Sequence, residues 1–197
     1  MNRAHAATRP AEHPIAEVSR YYPLNADLDH RDPRLKSALA ALAVAPTLNH
    51  FLEVAQAYQS LGVRDRAYDH FQQAVALEPT SAAANDGLAR LWRDWGFPQF
   101  GLANAHRAVY AAPRSATSRH TLGTLLYALG LRQDAEKAFR EATALEPHAW
   151  YAWQNLCSVV MADGRTKDAI PLCQRADAER AARKPESSAS PVVQPIP

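Results

Sequence analysis

The stretch LGTLLYALGLRQDAEKAFREATALEP, Leu122 to Pro147, decides the reading of this chain. It reads as two short amphipathic helices around a Gly-containing turn, closed by a proline. Its landmarks recur at one interval. Gly62, Gly96, Gly130 and Gly164 are each 34 residues apart, as are Pro79, Pro113 and Pro147, and Ala74, Ala108, Ala142 and Ala176. A fixed period of this size marks a stack of repeats, each burying its apolar face against its neighbours.

Working outward, the period delimits four full units, 48–81, 82–115, 116–149 and 150–183. A helix over 33–45, PRLKSALAALAVA, precedes them. Pro33 suits its first turn, Leu35, Leu39 and Leu42 share one side at helical spacing, and Pro46 ends it. It reads as the second half of a degenerate repeat that caps the first full one. Within the units, Val54, Leu88, Leu122 and Leu156 hold one phase of the first helices, with Ala55, Ala89, Gly123 and Cys157 beside them. Ala67, Gly101, Ala135 and Ala169 hold one phase of the second helices. Small residues on facing helices permit close approach, and large neighbours fill the space between. The glycines at 62, 96, 130 and 164 suit helix C-terminal caps. Thr47, Ser81 and Ser115 suit N-caps, whereas the fourth unit has Ala149. Pro98 falls at a helix start. Pro171 falls inside a helical pattern and implies a kink or a late start. QRADAERAARK then extends the last helix and solvates the open end. The repeat domain spans 33–184.

The flanks differ. Residues 1–32 contain Pro10, Pro14 and Pro23, show no sustained period and read as a flexible segment. YYPL, Tyr21 to Leu24, is the exception, with two tyrosines able to dock on the domain. Residues 185–197, rich in Ser, Pro and Val, read as a disordered tail.

The units resemble the tetratricopeptide repeat, whose pattern is W-x2-L-G-x2-Y, then A-x3-F, then P. The third unit carries Leu122-Gly123, Leu126, Ala135, Phe139 and Pro147, with Arg119 in the tryptophan position. The first carries Phe51, Val54-Ala55, Tyr58, Ala67, Phe71 and Pro79. The second carries Leu88-Ala89, Trp92, Gly101, Ala105 and Pro113, with Asn85 for tryptophan. The fourth carries Trp153, Leu156-Cys157, Val160, Ala169 and Cys173, and lacks the final proline. The resemblance covers 136 of 197 residues without a break in period. It implies an all-α, right-handed superhelical solenoid of antiparallel helix pairs.

Composition narrows the function. A net charge of +2 is too small to argue for nucleic acid or an acidic membrane surface. No run of 18 apolar residues appears, so no membrane span is expected. The first 20 residues lack an apolar core segment, so no secretory signal is visible, and cytoplasmic residence is the default expectation. Among eight histidines none falls in a metal-ligand spacing, and no catalytic or phosphate-binding motif occurs. No metal, cofactor or catalysis is expected. Cys157 and Cys173 occupy packing positions in the last unit and read as small buried thiols. A disulfide or redox switch is the alternative.

The functional candidate is a surface stripe. The second, fifth, ninth and twelfth positions of each first helix share a face distinct from the packing face. They read Asn49, Leu52, Gln56, Gln59; Ala83, Asp86, Arg90, Arg93; Thr117, His120, Thr124, Tyr127; and Tyr151, Gln154, Ser158, Met161. The resemblance implies that this stripe lines a concave groove that binds extended peptides. The expected groove residues are Asn49, Gln56, Asp86, Arg90, Arg93, His120, Thr124, Tyr127, Tyr151, Gln154, Asn155 and Met161. Amides and hydroxyls there suit a peptide backbone, and Tyr127, Tyr151 and Met161 add apolar area not needed for packing. The family's carboxylate clamp, which holds chaperone tails with lysine, asparagine and arginine, is not matched. Its positions hold Leu52, Gln56, Gly87, Thr117 and Thr121, or Asp86, Arg90, Thr121, Tyr151 and Asn155. The expectation is a non-catalytic scaffold for a partner protein or peptide. The alternatives are an accessory, substrate-recruiting subunit of an enzyme system and a self-assembling solenoid.

Overall fold

A computed structural model describes residues 32–183. The expected flexible segment and tail therefore lie outside the described residues, apart from Asp32. Nine helices are present among the described residues: α1 Pro33–Val44, α2 Leu48–Ser60, α3 Arg64–Leu77, α4 Ala82–Asp94, α5 Pro98–Ala111, α6 Ala116–Ala128, α7 Arg132–Leu145, α8 Trp150–Ala162 and α9 Thr166–Arg183. Each unit pairs a first helix with a second: α2 with α3, α4 with α5, α6 with α7, α8 with α9. First helices also touch one another from unit to unit (α2 with α4, α4 with α6, α6 with α8), whereas second helices pack on the next first helix. The closer spacing of the first helices puts them on the inner side of the curve.

Each pair is punctuated by the residues that mark the period. Gly62, Gly96, Gly130 and Gly164 have φ between 76° and 83°, a left-handed conformation that Cβ disfavours. The turn lets the next amide reach back over the helix end, as Val63 N–H does to Tyr58 O at 2.9 Å and Leu131 N–H to Leu126 O at 2.9 Å. The hydroxyls of Thr47, Ser81 and Ser115 accept from the backbone N–H of His50, Ala84 and Ser118. Ala149 offers no such bond. α9 starts on schedule at Thr166 and runs through Pro171, rather than starting late. The amide that Pro171 lacks is near the helix start, and its ring is exposed.

The position that the repeat pattern gives to tryptophan is filled three ways with one result. Trp153 Nε1 donates to Pro147 O at 2.8 Å, Asn85 Nδ2 to Pro79 O at 2.9 Å, and Arg119 Nη2 to Pro113 O at 2.7 Å. Each bond ties a first helix to the proline carbonyl six residues earlier. Phe51 has no donor, and there His50 Nδ1 bonds Ala45 O at 2.6 Å.

The core alternates large and small residues across the helix crossings. Phe71 and Phe139 are almost fully buried. They lie so close to Gly87 and Gly123 that a Cβ on Gly123 would sit 2.7 Å from the Phe139 ring. Ala67, Ala135 and Ala169 have no exposed surface. The reading of Cys157 and Cys173 as free thiols is corrected: they form a disulfide between α8 and α9, with Cα atoms 5.2 Å apart. Two small residues at a close crossing sit at a separation that also suits a disulfide.

A candidate interaction groove

The stripe read from the sequence lies on α2, α4, α6 and α8, the inner helices. Its floor is a chain of polar contacts that crosses unit boundaries. Asp86 on α4 is 6% exposed and pairs with Arg90 Nε at 3.2 Å, one helical turn on. The Thr121 hydroxyl on α6 is its other neighbour. Burial raises the Asp86 carboxyl above its ordinary range, against the pull of Arg90. Arg93 Nη1 donates to Thr124 Oγ1 at 3.1 Å, and Nη2 to Asp94 Oδ1 at 2.7 Å. Thr124 in turn donates to Thr121 O at 2.8 Å.

The next boundary is spanned by His120. Asn155 Nδ2 on α8 donates to His120 Nε2 at 2.8 Å, and the imidazole meets the Tyr151 ring edge-on at 4.7 Å. Burial, then the charges of Arg93 and Arg90, bring the His120 pKa down to about 4. The ring is therefore neutral and acts as acceptor for the amide. Tyr151 Oη donates to Glu146 Oε2 at 3.3 Å. Burial and that carboxylate raise its pKa.

The arrangement differs from a uniformly solvated stripe. Asp86 and His120 are floor residues that hold the first helices in register. Asn155, Thr124, Arg90 and Arg93 are already engaged by neighbours. Asn49 and Gln56 are exposed on α2, toward the N-terminal end, and Gln154 is exposed on α8. Tyr127 and Met161, 41% and 46% exposed, leave apolar area along one rim. A recess of 330 Å³ opens between α2, α4 and α6 and is lined by Gln56, Asp86, Arg90 and Thr117 among others. Arg180 was not anticipated. It stacks on Trp150 with its guanidinium 4.4 Å from the ring centre and bonds Gln154. The period carried no signal for it, because it lies in the extension of α9 beyond the repeat's packing positions.

No protein-family model matches the chain, and no curated protein matches it. Solved structures do. MamA of Desulfovibrio magneticus RS-1, from residue 41 to its end, superposes with a TM-score of 0.66 at 18% identity, over 86% of this chain and 97% of that one. A further MamA crystal structure gives 0.64 at 19% identity, over 75% and 86%. The first TPR domain of human RPAP3 gives 0.58 at 17% identity, over 62% and 96%. At these identities the likeness is one of fold. The chain has the tetratricopeptide-repeat fold, with four complete helix pairs behind one leading helix among the described residues.

Proposed function

We propose that this chain is a non-catalytic scaffold that holds an extended segment of a partner protein along the inner groove. The observation that carries the reading is the pairing of a pre-bonded floor with an open apolar rim. Asp86 is paired with Arg90, Arg93 bonds Thr124, and Asn155 bonds His120, so a ligand meets side chains already held in place, at little further entropic cost. Tyr127 and Met161 offer exposed, unpaired apolar contact area of the kind that binding sites concentrate.

The test is to place a photoreactive phenylalanine analogue at Tyr127 in the full chain, identify the cross-linked protein, and measure its affinity for variants. Tyr127→Ala is expected to weaken binding by ~2 kcal/mol, about 30-fold, as for a hot-spot aromatic. Met161→Ala should weaken it less, and Gln73→Ala on the outer helix α3 should leave it unchanged. Equal affinity for all three variants would exclude the groove. A cross-link to a second copy of the chain would make the partner the protein itself.

A further inference from the structure

Among the described residues, the first helix pair of the stack shows one helix. In every complete unit the second helix rests on a first helix of its own. α1 occupies a second-helix place, yet among the described residues its main packing is on α2, the first helix of the next unit. The space beside them is a cleft of 880 Å³, lined by Ser37, Ala38, Ala41, Glu53, Gln56 and Ala57 among others. Small side chains from both helices, Ser37, Ala38, Ala41, Ala57 and Ser60, lie among the polar Asp32, Arg34, Glu53 and Gln56, and the small ones leave room for close approach as Ala67, Gly101, Ala135 and Ala169 do. The alanines there accept large apolar side chains brought from elsewhere.

The sequence supplies such side chains at the right place. One period before α2, Leu48–Ser60, the count falls on residues 14–26. That stretch begins PIAEVSRYY, with Ile15, Val18 and Tyr22 spaced for one side of a helix. The described chain begins at Asp32, which itself lines the cleft. Nine residues, 23–31, lie between Tyr22 and Asp32 and reach up to ~30 Å when extended. Arg34 and Glu53 line the cleft, and Glu17 and Arg20 in the stretch match them with opposite charges. We propose that residues 14–22 of the same chain dock in the cleft between α1 and α2, setting Ile15, Val18 and Tyr22 on Ala38, Ala41 and Ala57. The first repeat is then completed by its own N-terminal segment. This holds whether or not the groove binds a partner.

Brief trypsin digestion of the full-length protein under native conditions tests it, with cleavage after Arg20 compared with cleavage after Arg3. Docking predicts that the Arg20 site is cut at least ~10-fold more slowly, since native-state proteolysis follows the population of the open form. Val18→Ser in the segment and Ala41→Arg in the cleft should each raise cleavage after Arg20 to the Arg3 rate, with an unchanged helical circular-dichroism signal. Val18→Ser alters no residue of the nine helices, so its effect does not report unfolding of the stack. Equal cleavage at the two sites in the wild type, or protection that survives both variants, overturns the proposal. Protection that grows with protein concentration also overturns it, because the segment would then be seated on a second copy.

Discussion

The side-chain amide of Asn155 donates to Nε2 of His120 across 2.8 Å, joining α8 to α6 in the floor of the groove. The bond requires a neutral imidazole, and the surroundings keep it so: burial and the nearby guanidinium groups of Arg93 and Arg90 bring its pKa down to about 4.

Acid should therefore cost stability through this residue. Between about pH 6.5 and about pH 4 the unfolded chain binds a proton at His120 that the folded chain refuses, so stability falls as pH falls across that window. The contribution is about 3 kcal/mol at most. Asp86, whose carboxyl is raised by burial, acts in the opposite sense. The comparison is accordingly between wild type and His120→Gln, by urea denaturation at pH 7, 5.5 and 4.5. The variant should lose less stability on acidification; parallel losses would show that His120 is not the source.

Gly123 is held small by Phe139. Gly123→Ala gains up to ~1 kcal/mol of helix propensity but places a Cβ 2.7 Å from the Phe139 ring, an over-packing that typically costs ~1–3 kcal/mol. The expected net result is destabilisation. In a Phe139→Leu background the same alanine should be neutral or stabilising, giving a coupling of about 1 kcal/mol or more in a double-mutant cycle. Additive effects would show that the ring and the glycine are not in contact.

The disulfide should determine how firmly the last unit holds. Cys157 and Cys173 are 16 residues apart in sequence, and closing a loop of that size contributes ~3 kcal/mol in the chain-entropy account. Among the described residues no helix follows α9 for it to pack on, and terminal repeats open first. Hydrogen exchange with reductant should quicken in α8 and α9 and stay unchanged in α2 to α5. Uniform exchange before and after reduction would count against the bond.

The donor at the fourth position of each first helix can be tested by exchange. Arg119→Leu removes the bonds to Pro113 O and should lower stability by ~1–2 kcal/mol. Arg119→Trp should restore most of the loss, as Trp153 makes the same bond in the last unit. The measurement is the denaturation midpoint of the three proteins; equal midpoints would show that the bond contributes nothing.

The helix pairs were legible because their punctuation is local: a glycine at positive φ, a capping hydroxyl and a proline each act within a few residues and recur in phase. The groove was legible only as a stripe. Burial of Asp86 and His120 depends on how far α4, α6 and α8 approach one another, a quantity no single helix encodes. The Cys157–Cys173 bond was hidden for a related reason. A small residue in a packing phase looks the same whether or not its partner across the crossing is another cysteine. Arg180 escaped because its partners, Trp150 and Gln154, are reached only when α9 folds back along α8.

The fourth position of the first helices has a consequence for recognising such proteins. Indole, carboxamide and guanidinium differ in size, charge and hydropathy, yet each delivers an N–H to the proline carbonyl six residues earlier. A pattern that asks there for tryptophan scores the second and third units as departures, although their wiring is intact. What these three units share at that place is a hydrogen atom at a point in space, and substitution can exchange the whole side chain around it while the architecture persists.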